Sequence, residues 1–226
     1  MYMSRAKLLP EAMSSKAIRG NMGNEHNVHR LVWSLFPVNE DDKRKFIYRQ
    51  DSMGSLPSFY LVSENEPIDE LNVWDIDVKQ YDPILKSGQK LAFSLRANPI
   101  VSKRDENDKQ HRHDVVMDEK FRLKMENGGD IEPNMPDIVQ RKGSEWLLRK
   151  GDMNGFSINA EQIRVDAYQN HKLFKPKGKH HVSFSTVDIV GTLTVTDPDI
   201  FRDALFKGIG PAKGFGCGML LVRPLR

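Results

Sequence analysis

Apolar residues recur along this chain with two different periods, and the switches between them lay out the elements. In "HNVHRLVWSLF", Val28, Leu31, Val32, Leu35 and Phe36 fall at i, i+3, i+4, i+7 and i+8, a stripe that a helix gathers on one face. Asn24 stands where an N-cap belongs, and Pro37 marks the helix end. "MYMSRAKLL" before this helix and "FIYRQ", "SFYLVSE" and "VWDIDVKQY" after it are short enough and apolar enough for strands.

The pattern then begins again. "KLAFSLRANPIV" predicts a strand running into Pro99, and a charged stretch to about 119 with a Gly, Asn and Pro-rich stretch to about 136 reads as an irregular insertion. "DIVQRKGSEWLLRK" predicts a helix, although Gly143 weakens its middle by about 1 kcal/mol against Ala. A strand near 156–168, a basic turn and the long strand "HVSFSTVDIVGTLTV" follow. Alternation along that strand slips phase between Thr186 and Val187, which predicts a bulge. "DPDIFRDALFKG" is a helix with Pro198 in its first turn and Gly208 past its end, leading to a last short strand.

The second half thus runs strand, helix, strand, strand, helix, strand, which is the ferredoxin-like order, and the first half is a degraded copy of it. The expected class is α+β, as two tandem ferredoxin-like (RRM-like) domains over 1–88 and 89–226, with the insertion near 102–136 and a glycine-rich loop at 208–218.

Composition narrows the setting. Hydrophobic residues make up 38% and charged residues 29% of 226, as in an ordinary folded protein of one or two domains. The single Cys217 cannot form an internal disulfide, and there is neither a signal-peptide core nor an 18-residue apolar run, so a cytoplasmic protein is expected. The net charge of +3 is small but unevenly spread. Residues 63–82 hold seven acids against Lys79, whereas 168–182 hold Lys172, Lys175, Lys177 and Lys179 with three histidines and no acid. Such separation suits a polyanion held on one side, although a solvated basic turn without a partner has the same composition.

Two local features carry chemistry. "GIGPAKGFGCG" places Gly208, Gly210, Gly214, Gly216 and Gly218 in eleven residues around Lys213. It is not a P-loop, since no Ser or Thr follows the lysine, and it is not a dinucleotide fingerprint, since it lies between helix and strand in the wrong order. What remains is a plain turn or a loop whose backbone comes close to a phosphate. The second feature is His29, about 90° from the centre of the helix stripe between Phe36 and Trp33, with His26 one turn earlier on the solvent side. A rim imidazole is partly desolvated yet open to a ligand, as proton transfer requires; a surface bystander occupies the same place. His26 and His29 do not have zinc-protease spacing, and no third metal ligand is evident.

"MYMSRAKL", "HNVHRLVWSLFP", "FSLRANPI" and the terminal "GIGPAKGFGCGMLLV", in this order and at these spacings, closely resemble the CasE family, the CRISPR RNA-processing endoribonucleases of type I-E systems. The likeness spans the chain. It implies a protein that binds the CRISPR repeat hairpin, cuts precursor RNA at the base of the stem without metal or cofactor, and stays with its product beside the other subunits of Cascade. His29 falls at the family's catalytic histidine; His26 falls where members often carry an assisting tyrosine. On this resemblance an RNA phosphate is the guest of the glycine loop and Lys213, and the basic turn faces the duplex. Two rival functions are a noncatalytic RNA-binding module, for which the RNP motif is lacking, and an assembly subunit whose loop makes protein contacts.

Overall fold

Two four-stranded antiparallel sheets organise the chain. The computed structural model describes residues 1–16, 18, 25–36, 44–51, 56–126, 128, 132–175 and 180–225. The first sheet holds β1 (Tyr2–Leu8), β2 (Phe46–Asp51), β3 (Ser58–Ser63) and β4 (Trp74–Gln80) in the order β2-β3-β1-β4. Between β1 and β2 runs α1 (Glu25–Trp33), whose stripe of Val28, Leu31 and Val32, continued by Leu35 and Phe36, is buried against Phe46, Tyr48, Phe59, Leu61 and Trp74. Asn24 and Pro37, expected to bound this helix, lie outside the described residues.

The strand order is ferredoxin-like, but residues 64–73 between β3 and β4 form no helix. Asp69 turns the chain there, its carboxylate accepting from the N–H of Leu71 and of Trp74 at 3.2 and 2.8 Å. The degraded character of the first half is this missing helix.

The second module begins with β5 (Lys90–Ala97) and then a hairpin of β6 (Ile100–Arg104) and β7 (Gln110–Asp114), followed by α2 (Val115–Glu126) and α3 (Met135–Met153). β8 (Phe156–Lys175), β9 (His180–Val195), α4 (Pro198–Lys207) and β10 (Leu220–Pro224) complete it. Its sheet order, β10-β5-β9-β8, is again ferredoxin-like, and α3 and α4 cover one face around Trp146, Leu147, Phe156, Phe201 and Leu205.

Three local outcomes differ from the sequence expectations. The stretch expected to be irregular is instead a hairpin and a helix. Asp114 begins α2 by accepting from the N–H of Val116 and of Met117, and Val115 and Val116 reach the core. Gly143 does not mark a weak helix but a close one: a Cβ there would stand 2.5 Å from Val165 Cγ1. The phase slip seen in β9 originates in its partner. Register shifts lie between Ile158 and Ile163 and between Asp166 and Gln169 of β8, the second at Ala167 with φ 51°, while Ser185, Thr186 and Val187 of β9 are buried in succession.

No helix among the described residues is long and apolar enough to cross a membrane.

Glu119 fastens the insertion to the module. Its carboxylate, 7% exposed, accepts from Arg122 at 2.8 Å and from Arg141 of α3 at 2.5 Å. The hydrogen bond from Arg122 foremost, with that from Arg141, outweighs burial and brings its pKa from 4.5 to about 2. Glu119→Gln is therefore expected to cost about 2 kcal/mol at neutral pH. Because the folded pKa is depressed, this contribution is complete above about pH 4.5 and lost as pH falls through about 2. Urea unfolding of both proteins down the pH scale should show the gap narrowing on the acid side.

Candidate functional site

The two modules meet along the edge strand β2. Its alternation divides the work: Phe46 and Tyr48 face α1, while Ile47 and Arg49 face the second module. Ile47 packs with Val62 and Met219. Arg49 donates to Ser94 of β5 at 2.8 Å and lies 4.0 Å from Asp188 of β9, which Arg96 holds by two bonds of 2.9 and 2.8 Å.

The glycine loop runs past this edge and wraps onto the α1 side. Tyr48 Oη donates to the Gly214 carbonyl at 2.9 Å. The His29 ring lies edge-on to Trp33, with centroids 5.3 Å apart, and parallel to Tyr48 at 6.2 Å. A Cβ on Gly214 would stand 3.7 Å from His29 Cε1 and 3.1 Å from Arg44 Nη1, so this stretch of loop backbone runs beside the imidazole and the guanidinium, with little space for a side chain on the Arg44 side. His29 is half-buried, as its place beside the helix stripe predicts.

Electrostatics concentrate positive charge here. Burial lowers the Arg44 pKa, and burial together with the neighbouring Arg44 and Lys150 lowers that of Lys213. Cations gathered in this way favour an anion such as a phosphate between them. The arrangement sets an imidazole for proton movement beside two cations and a phenol-anchored backbone turn. Arg44 and Tyr48 were not singled out by sequence. Tyr48 reads there only as one apolar strand position, and Arg44 as one charge among "DDKRK".

The remaining candidates are distributed differently. Gly208 ends α4 at φ 73° with its N–H given to the Ala204 carbonyl at 2.8 Å. Gly218 gives its N–H to the Arg96 carbonyl at 2.7 Å, and a Cβ on Gly210 would stand 3.0 Å from Trp146 Cζ2. These three shape the loop, whereas Lys213, Gly214 and Gly216 border the β2 edge; a Cβ on Gly216 would lie 3.5 Å from Tyr48 Cε2. Lys172 is exposed on β8 opposite Ser183, and Lys175 ends β8 opposite His180. Lys177, Lys179 and the side chains of Lys175 and His26 lie outside the described residues. Among the described residues no group of three or more His, Cys, Asp or Glu side chains is placed to hold a metal ion.

The family described as CRISPR associated protein matches residues 1–224. This chain belongs to that family. Among its relatives, the CRISPR system Cascade subunit CasE of Escherichia coli (strain K12) is 29% identical over 203 residues, 88% of this chain and 92% of that protein. The CRISPR-associated endoribonuclease Cse3 of Thermus thermophilus is 26% identical over 240 residues, covering 99% and 100%. Among solved structures, CRISPR endoribonuclease Cse3 bound to a 19-nucleotide RNA superposes with a TM-score of 0.71 at 24% identity, over 99% of this chain and 100% of that one. The tandem-sheet α+β architecture of this CRISPR-associated protein is therefore a shared fold.

The Tyr48 bond is the most direct test of the seam. Tyr48→Phe keeps the ring under His29 and removes only the hydroxyl, so a loss of about 1 kcal/mol in urea unfolding is expected. An unchanged denaturant slope would show that the loss lies in the folded seam and not in the compactness of the unfolded chain.

Proposed function

We propose that this protein is an endoribonuclease that binds the hairpin of a CRISPR repeat RNA, cuts the precursor at the base of the stem, and keeps the product as a Cascade subunit in the cytoplasm. The observation that carries the proposal is the position of His29, half-buried and against Gly214, with Arg44 at the same glycine and Lys213 next to it in sequence. The names of the relatives, a Cascade subunit and an endoribonuclease, and a fold shared with an RNA-bound Cse3, support the same reading.

The chemistry follows from what these groups do. The 2′-hydroxyl upstream of the cut loses its proton and its oxygen attacks the adjacent phosphorus. The bond from phosphorus to the 5′-oxygen then breaks, and that oxygen takes up a proton. The products are a 2′,3′-cyclic phosphate and a 5′-hydroxyl. His29 serves as base at the first oxygen or acid at the second. Arg44, Lys213 and the backbone near Gly214 bear on the phosphate whose negative charge grows in the transition state. Tyr48 positions both His29 and Gly214, and His26, at the sequence position where the family often carries an assisting tyrosine, is the second candidate for proton movement. Lys172 and Lys175 lie on β8, and Lys177 and Lys179 follow in the sequence before β9; this run of cations suits an A-form backbone.

His29→Ala should lower single-turnover cleavage by about 10² to 10⁴-fold with little change in hairpin affinity. A rate within about threefold of wild type would overturn the assignment. Replacing the upstream ribose by deoxyribose should leave binding intact and abolish cutting. Activity should persist in EDTA, and mass spectrometry should find no 5′-phosphate.

Arg44→Ala should act on affinity as well as rate, because a phosphate contact carries released counterions. The slope of log affinity against log salt should flatten by about one unit. An unchanged slope would remove Arg44 from the phosphate site.

A further inference from the structure

A second cleft, of about 450 Å³, opens on the other side of the glycine loop from His29. Ala212 and Phe215 of the loop form one wall, and the inserted β7 and α2 form the opposite one through Arg112, Asp114 and Met117. Asn98, Asn170 and Phe184 close it from the second sheet. The volume lies within the range of small-ligand sites, and the lining combines aromatic surface with a few placed polar groups.

We propose that this cleft holds the base of one unpaired nucleotide beside the cut bond, an inference that rests on the RNA-cleaving function above. Three observations favour a base over other occupants. The first is continuity: Gly214 faces His29 while its neighbours Ala212 and Phe215 line the cleft, so a strand leaving the phosphate site meets the cleft next. The second is the aromatic wall. Phe184 stacks between His171 and Phe215, with centroids 4.8 and 4.9 Å away, which takes both of its faces and fixes the rings, so a base meets the edge of Phe184 and the Phe215 ring that it holds in place. The third is the polar lining. Asp114 accepts from the N–H of Val116 and Met117 and from Tyr168 Oη at 2.9 Å, so its carboxylate is anchored in the wall. That carboxylate accepts from a base N–H, Arg112 on the same wall donates to a base oxygen or ring nitrogen, and the Asn170 amide N–H adds a donor, whereas Asn98 gives its amide N–H to the Ser185 carbonyl and shapes the floor. Unpaired bases are bound in this way, by stacking with hydrogen bonds to an exposed edge.

The proposal also gives the folded insertion a purpose. Without β7 and α2 the cleft loses the wall opposite the loop.

The test uses the full chain and the hairpin RNA that it cleaves, with each unpaired nucleotide flanking the stem replaced in turn by an abasic residue. Wild-type protein should lose about tenfold in affinity at one position and little at the others. Met117→Trp, on the wall away from the ribbon, fills the cleft from an exposed site. It should bind intact RNA about tenfold more weakly and be indifferent to the abasic position, since the two changes remove the same contact. Asn170→Ala, also exposed, should weaken the intact RNA by a smaller factor and serves if the tryptophan variant unfolds. Cleavage with no abasic-sensitive position would overturn the base site while leaving the endoribonuclease function standing. Sensitivity that persists in full in both variants would place the base elsewhere and overturn it too. Failure of every RNA to bind would overturn both, and would direct attention to a peptide segment as the occupant.

Discussion

The contact between the glycine loop and the edge strand β2 is the constraint on which the site depends. Each module has its own core, but the groups gathered at the candidate site come from both: His29, Arg44 and Tyr48 from the first, Lys213 and Gly214 from the second. Their geometry is therefore only as exact as the docking of the modules. The bond from Tyr48 to Gly214 and the reach of Arg49 to Ser94 and Asp188 fix that docking from the two faces of one strand. An exposed edge invites pairing with another chain. Covering β2 with the loop removes that hazard and, by the same act, assembles the site.

The glycines acquire distinct meanings in this light. A run of them on the page suggests flexibility or an open backbone cradle, yet several are where two surfaces come too close for a side chain. Gly218 approaches the Ile209 carbonyl so nearly that a Cβ would stand 2.7 Å away, and the Gly208 and Gly218 N–H groups are already committed inside the protein. Those contacts hold the loop in one shape. Only then does the segment around Gly214 gain a defined relation to His29, which is what electrostatic preorganisation asks of a backbone.

Much of this was legible in sequence because the signals are local. The helix stripe from Val28 to Phe36 fixes which side is buried and therefore puts His29 at the rim, and the strand, helix and turn residues give the ferredoxin-like order twice. What escaped was set by partners far along the chain. Arg44 gains significance only when residue 214 is beside it, and Tyr48 only when its hydroxyl meets that carbonyl. The insertion looked irregular because its charged residues carry little periodicity; Glu119 and Arg141 tie it down by an ion pair that no spacing rule announces. The bulge was placed on the wrong strand for a related reason, since a register shift appears in the sequence of both partners while the extra residues belong to one.

The division of labour between modules also bears on the proposed cleavage of RNA by a ferredoxin-like fold that lacks a typical RNP motif. On the face of the first sheet opposite α1, the β2–β3 side is covered, where Met3, Tyr60, Ile47 and Val62 pack with Met219, Phe206 and Leu221 of the second module, and the β1–β4 side carries exposed charges such as Arg5 and Asp77. For the proposed RNA partner this leaves the margin of the sheets, where the loop, the rim of α1 and the β8–β9 ribbon converge. Recognition at such a margin falls to backbone, charge and a few aromatic rings, and these suit the phosphates of a duplex and the bases just beyond its end. Packing part of that sheet face against the second module turns it into scaffold, and the candidate site lies along the line where the two modules touch.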